Sequence, residues 1–195
     1  MKDIILASQS PRRKMLLEWA EVPFEVIVKH TDEDFPEGLT FTDIAIHIAR
    51  KKANAVKTYV QEAFHGELKQ KTILAADTIV VLGNDVIGKP VDREDAIRIL
   101  RSLSGQQHKV ITGVVLLYTT GEISFADTTE VIFHALTEEQ ICFYVDKYEP
   151  YDKAGAYAIQ EWIGVTGIKS IEGDFYNVMG LPVSRVVQAL HTLNS

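Results

Sequence analysis

The chain has 195 residues, 46% of them hydrophobic and 24% charged, a balance that excludes disorder, collagen and coiled coil as its main architecture. With 27 acidic against 20 basic side chains and a formal charge of −7, it is a poor non-specific ligand for nucleic acid or an anionic membrane, so any anion site must come from a local basic cluster. Cys142 is the only cysteine, which leaves no internal disulfide and no cysteine zinc site. The first apolar run, Ile4 to Ala7, is too short for a signal-peptide core, and no stretch approaches the roughly 20 apolar residues of a membrane span. These features predict a soluble cytoplasmic protein that binds neither nucleic acid nor membrane. A chain of this length buries roughly 70% of its unfolded surface and needs no staple, and residues 1–195 suit one domain, or two small lobes sharing a core.

In chain order, Ile4–Ala7 reads as a short buried strand. Ser10 follows as an N-cap with Pro11 at the first helical position, and Met15, Leu16 and Trp19 give that helix its apolar stripe. Phe24–Val28 reads as a second strand and the polar, acidic residues 29–40 as a loop. A long helix is predicted from about Thr42 to Phe64. Ile73–Leu82 is a strand-like run, returning through Gly83-Asn84-Asp85 into Val86-Ile87. Asp92 caps a helix to about Leu103, ended by Gly105. Val110–Tyr118 and Ile123–His134 form a long hairpin around Thr120-Gly121. Thr137 opens another helix, with Gln140 completing a capping box. Residues 149–164 read as irregular, Val165–Ile171 as a strand and Pro182–Leu193 as an amphipathic helix. Strands and helices mix along the whole chain, so the predicted class is α/β or α+β with a mixed twisted sheet flanked by helices.

Several residues break the local rules and so draw a functional reading. Ser8-Gln9-Ser10-Pro11-Arg12-Arg13 feeds a strand through a tight polar loop into a helix start, where free N–H groups and the positive dipole end favour an anion. The two arginines are adjacent and diverge by roughly 100° around the helix, so they do not both face one phosphate as simple neighbours. Lys52 falls in the middle of the apolar stripe of Ala45, Ile48, Ala49, Val56 and Tyr59; a charge there must snorkel, pair or serve a ligand. Asp77 sits inside an otherwise core-like strand, where it calls for a metal, a base role or a cation partner, or else marks a bulge or turn between two short strands. Lys89 is held between Gly88 and Pro90. The run Asp152-Lys153-Ala154-Gly155-Ala156-Tyr157-Ala158-Ile159-Gln160 is small and irregular and ends in an amide. Asp32-Glu33-Asp34 is either a solvated face or a source of hard oxygen ligands. No phosphate loop, H-E-x-x-H motif or G-x-S-x-G elbow occurs. His108, at a strand start, is suited to orienting a loop as much as to catalysis.

Leu6-Ala7-Ser8-Gln9-Ser10-Pro11-Arg12-Arg13 resembles the signature of the Maf family of nucleoside triphosphate pyrophosphatases. The resemblance continues in order through Ala75-Ala76-Asp77-Thr78, Gly88-Lys89-Pro90, Ser104-Gly105 with His108 and Thr112, Glu149-Pro150 with Asp152 to Tyr157, and Gly180-Leu181-Pro182. It implies an inosine-triphosphatase-like α/β fold with two lobes around a central cleft, and a recurrent homodimer. It also implies hydrolysis of a nucleoside triphosphate to monophosphate and pyrophosphate with a divalent metal, Mg²⁺ or Mn²⁺. Within it, Asp77, Lys52, Lys89 and Glu33 are the expected catalytic residues, with Asp77 and Glu33 toward the metal. Ser8, Ser10, Arg12 and Arg13 are expected at the phosphates. Arg12, Thr78 and Gln160 match the branch acting on dTTP and UTP, whereas the 7-methyl-GTP branch carries Trp, Gln and Glu at these places. An amide such as Gln160 suits the donor–acceptor edge of uracil or thymine. Glu161-Trp162 departs from the glycine that relatives often have, implying a narrower pocket rim. The rival readings are the 7-methyl-GTP reaction on the same scaffold and a non-catalytic regulator of cell division.

Overall fold

The computed structural model describes residues 3–64 and 70–194. Its elements, in order, are β1 (Ile4–Leu6), α1 (Pro11–Trp19), β2 (Phe24–Val26), α2 (Phe41–Ala63), β3 (Thr72–Leu82), β4 (Asp85–Ile87), α3 (Arg93–Leu103), β5 (Gln107–Tyr118), β6 (Gly121–Phe133), α4 (Glu138–Tyr148), α5 (Trp162–Gly167), β7 (Ile168–Glu172), α6 (Phe175–Met179) and α7 (Val183–Asn194). Among the described residues, seven strands form one sheet in the order β2-β1-β3-β5-β6-β7, with β4 paired to β3. β1 runs parallel to both β2 and β3, while the β3–β4 and β6–β7 pairs are antiparallel. The sheet is therefore mixed and flanked by helices, as the mixture of strands and helices along the chain predicts. No helix among the described residues is long and apolar enough to cross a membrane.

The chain divides into two compact units. One comprises residues 1–77, 112–127 and 180–195, the other residues 78–111 and 128–179. In the first unit, α2 buries Ile44, Ala45, Ile48, Ala49, Ala53, Val56 and Val60, and its apolar face packs with Ile5, Ala7, Ile73, Ala75, Val115 and Leu117 of the strands. The alanines at 45, 49 and 53 are spaced one helical turn apart and let the helix approach the sheet closely. At Gly113 on β5 the approach is closest: a β-carbon there would lie 2.3 Å from the Ala45 carbonyl carbon and 2.4 Å from the Ile46 nitrogen. In the second unit, α3 and α4 close over the sheet with Leu100, Leu103, Val131, Phe133, Ile141, Tyr144 and Tyr157 in the core.

Local signals survive into the structure where short-range hydrogen bonding decides them. Ser10, Asp92 and Thr137 cap α1, α3 and α4, and Thr137 with Gln140 makes the reciprocal capping box. Three expectations are corrected. Trp19 is 62% exposed, and Leu16 and Leu17 carry the buried face of α1. The strand expected from Val165 begins only at Ile168, because Gly164 N–H (2.9 Å) and Val165 N–H (3.3 Å) both donate to the Glu161 carbonyl and wind 162–167 into α5. Nor does Asp77 interrupt its strand, since β3 runs unbroken from Thr72 to Leu82. The turn of α6 at Phe175–Met179 carried no sequence signal.

Gly113→Ala inserts a β-carbon into backbone rather than into a side chain that can move, and overpacking of this kind destabilises by about 3 kcal/mol or more. The expected outcome is a thermal midpoint lowered by several degrees relative to wild type, measured by circular dichroism.

Candidate active site

Chemistry gathers first where β1 runs into α1. Ser8 is buried, and its Oγ accepts from the Ser10 amide at 3.2 Å and from Arg13 Nη1 at 3.2 Å. Both lone pairs being engaged, the Ser8 hydroxyl keeps its proton to donate. Ser10 Oγ accepts from the Arg13 amide at 3.4 Å as the cap of α1. Arg13 is buried too; its Nε donates to the Gly180 carbonyl at 2.7 Å. Desolvation pulls the Arg13 pKa down, partly opposed by the nearby carboxylate of Asp77. The structure thus places Arg13 inside the protein, as a brace between Ser8 and Gly180, while Arg12 is half-buried one position earlier.

Lys52, Asp77 and Glu33 come together in the same unit. Lys52 Nζ donates to Asp77 Oδ1 at 2.6 Å and to Glu33 Oε1 at 2.8 Å. The charge on the apolar stripe of α2 is therefore paired, which is what a poorly solvated ammonium requires. Asp77 is 7% exposed. Burial pushes its carboxyl above the usual aspartate value, and the positive charges of Lys52 and Arg13 pull it back part of the way. The acidic run before α2 is sorted by its partners: Asp34 pairs with Lys51, Glu33 with Lys52, and Asp32 lies 3.9 Å from His30. Of the three acids, Glu33 is the one joined through Lys52 to Asp77. Among the described residues no group of three or more His, Cys, Asp or Glu side chains converges as a ready-made metal site.

Thr78, Lys89 and Gln160 belong to the other unit. Thr78 follows Asp77 on an unbroken strand, and successive strand side chains leave on opposite faces. Lys89 is exposed just beyond β4, next to Gly88, whose carbonyl accepts from the Gly155 amide at 3.1 Å. Gln160 is exposed, between the buried Ile159 and the half-buried Glu161. The segment leading to it is densely tied. Lys153 is buried and paired with Asp152 at 2.8 Å and Glu161 at 3.6 Å. Tyr144 on α4 donates its hydroxyl to Glu161 and accepts from the Ala158 amide at 3.1 Å. Sequence reasoning missed Lys153 and Tyr144 as site-forming residues. A lysine inside a small-residue motif offered a signal for the first; a tyrosine on an apolar helix face offered none for the second.

His108 is 1% exposed, its Nε2 lies 2.7 Å from the Tyr157 hydroxyl, and its Nδ1 finds no hydrogen-bond partner among the described residues. Burial holds its pKa down to about 4 and pushes the Tyr157 phenol up, so both stay neutral across the physiological range. This pair orients the segment around Tyr157 and is unsuited to proton transfer near neutrality. An ordinary imidazole titrates near 6.5, so between that pH and about 4 the unfolded chain binds the extra proton and the fold does not. Acid therefore destabilises the fold through this window, by about 3 kcal/mol at its lower end. Thermal unfolding of His108→Gln from pH 7 to pH 4 should decline less steeply than that of wild type.

Comparison with known proteins fits this arrangement. A family model described as Maf-like protein matches residues 3–193. The chain is 48% identical over 191 residues to the dTTP/UTP pyrophosphatase of Cytophaga hutchinsonii, covering 98% of this chain and 84% of that protein. It is likewise 48% identical to the dTTP/UTP pyrophosphatase of Bacteroides thetaiotaomicron, covering 97% of this chain and 95% of that one. Identity to the dTTP/UTP pyrophosphatase of Parabacteroides distasonis is 44%, covering 96% and 94% of the two chains. Among solved structures, the Ham1 protein of Staphylococcus aureus aligns over 100% of both chains with a TM-score of 0.50 at 16% identity, a likeness of fold alone. The order of elements, the residues gathered around Asp77 and these full-length matches lead to one conclusion: the chain belongs to the family of Maf-like proteins.

Proposed function

We propose that this chain hydrolyses dTTP and UTP to the nucleoside monophosphate and pyrophosphate, by attack of water on the α-phosphorus and cleavage of its bond to the bridging oxygen of the β-phosphate. The observation that carries the reading is the buried Asp77 carboxylate held on the Lys52 ammonium, a base and a cation in one spot in a full-length relative of dTTP/UTP pyrophosphatases. Asp77 Oδ accepts the proton of the attacking water. Its raised pKa suits that task better than an ordinary aspartate, because a base works best when its pKa approaches the working pH. Lys52 offsets the charge that develops on the phosphate oxygens. The Ser8 hydroxyl and the Arg12 guanidinium at the start of α1 donate to phosphate oxygens, while Ser10 and Arg13 hold that loop in shape.

Asp77 and Glu33 offer two carboxylates converging on one ammonium. That donor set fits a Mg²⁺ or Mn²⁺ ion whose other ligands are water and substrate phosphates, the usual manner of such ions. The ion, held by Asp77 and Glu33, would supply further neutralisation of triphosphate charge. Lys89 is assigned to leaving-group charge, and Arg12, Thr78 and Gln160 to base selection, with the Gln160 amide matching the edge of uracil or thymine. The reading includes a cytoplasmic enzyme working as a homodimer.

Purified protein incubated with Mg²⁺ or Mn²⁺ and dTTP, UTP, CTP, GTP or 7-methyl-GTP, with products separated by chromatography, should yield monophosphate and pyrophosphate from dTTP and UTP. Release of orthophosphate would mean that a different bond is cut, and preference for 7-methyl-GTP would move the chain to the other branch. Asp77→Asn should lower kcat by about a thousandfold; activity within a few-fold of wild type would remove Asp77 as the base.

The pH profile tests the same assignment. An ionised base is required, so kcat/KM should fall with decreasing pH around a midpoint above the ordinary aspartate value of 3.8. Lys52→Met takes away a positive neighbour and should move that midpoint up. Glu33→Gln takes away a negative one and should move it down. A midpoint indifferent to both changes would belong to some other group.

A further inference from the structure

Gln160 stands on a short, heavily braced turn. The Glu161 amide donates to the Ala158 carbonyl at 3.1 Å, closing a four-residue turn with Ile159 and Gln160 at its centre. Ala158 and Ile159 are buried and Gln160 points out. A single fully buried group grips both ends of this turn: the Tyr144 hydroxyl accepts from the Ala158 amide at 3.1 Å and donates to the Glu161 carboxylate. Glu161 is further restrained by Lys153 at 3.6 Å. On the far side, a β-carbon at Gly164 would fall 1.7 Å from the Ile159 carbonyl oxygen, so α5 presses directly on the turn. Packing alone would be served as well by phenylalanine at 144. A buried hydroxyl is retained without penalty only when its hydrogen bonds are made, and here the turn supplies an acceptor and a donor for it.

We propose that Tyr144 is a positioning residue for base selection: its hydroxyl ties the two ends of the turn that carries Gln160 and so fixes the amide that reads the pyrimidine edge. The inference rests on the pyrimidine-nucleotide reading above. A side chain presented from a fixed backbone loses less freedom on binding than one presented from a mobile loop. The benefit of the clamp therefore falls on recognition of the correct base, while the reacting phosphate and Asp77 are untouched by it.

The test is Tyr144→Phe, which keeps the ring and removes one oxygen, measured beside Gln160→Ala, Glu161→Ala and Glu161→Gln. Tyr144→Phe, which removes both hydrogen bonds of the hydroxyl, should raise KM for dTTP and UTP about five- to tenfold. It should leave kcat within about twofold and shrink the dTTP-to-CTP ratio of kcat/KM in the direction taken by Gln160→Ala. Glu161→Ala should behave similarly, and Glu161→Gln, which still offers the hydroxyl an acceptor, should restore most of the selectivity. Hydrogen exchange of peptides containing residues 158–161 supplies a readout independent of turnover: their amides should exchange faster in Tyr144→Phe. Unchanged exchange would overturn the clamp. Faster exchange with unchanged selectivity, where Gln160→Ala does shift it, would overturn the positioning role. A Gln160→Ala enzyme that keeps wild-type selectivity would overturn the role of the turn itself. Wild-type protein inert toward both nucleotides would overturn the functional reading and the selectivity role with it. A uniform fall in kcat for all substrates with a lowered thermal midpoint would mark Tyr144 as structural only.

Discussion

Burying a carboxylate in the middle of a sheet is expensive, and Asp77 is tolerated there because Lys52 reaches it from α2. Much of the first unit follows from that requirement. The helix must lie close enough for a lysine on its apolar face to span the gap, hence Ala45, Ala49 and Ala53 along the stripe and Gly113 beneath it. The ammonium must be neutralised on its outer side too, hence Glu33 from the acidic loop. Arg13, buried a short way off, adds a second positive field and at the same time locks Ser8 in its donor orientation. The tension between desolvation and two cations leaves Asp77 easier to protonate than an ordinary aspartate, burial outweighing the pull of Lys52 and Arg13.

The second unit is built differently, with the exposed Gln160 on a turn tied by Tyr144, Glu161 and Lys153. Its means are neutral or internally compensated. His108 and Tyr157 are held uncharged by burial, Lys153 is matched by Asp152 and Glu161, and the Gly155 amide ties the segment to the carbonyl next to Lys89.

Legibility in the sequence followed the range of the interaction. Caps were readable at Ser10, Asp92 and Thr137 because the deciding hydrogen bonds span three residues. Lys52 was readable because helical periodicity placed it on a face where a charge does not belong, and Asp77 because an acid interrupts a β-rich run. The choice of Glu33 was not readable: Asp32, Glu33 and Asp34 are alike in composition, and only the path of the loop over α2 sorts them among His30, Lys52 and Lys51. Nor was Tyr144, which on an apolar face is indistinguishable from any core tyrosine. Residues 162–167 went astray because a short run of β-branched and small residues has no decisive period, and the helix there is set by the Glu161 carbonyl.

The acidic loop before α2 has one more property. Between β2 and α2 the chain forms no helix or strand, and its side chains reach α2 through Lys29 over the Tyr59 ring at 3.3 Å, through Asp34 to Lys51 and through Glu33 to Lys52. Glu33 is 46% exposed at its side chain whereas Asp77 is 10% exposed. Dissolved ions weaken exposed pairs far more than buried ones, over a screening distance of about 8 Å at physiological strength and about 3 Å in molar salt. Rising salinity therefore loosens the grip of Glu33 on Lys52 first and leaves the Asp77 contact standing. The loop is in effect an electrostatic latch whose hold is graded by the ionic medium, with the sheet-borne carboxylate of Asp77 insulated from that grading.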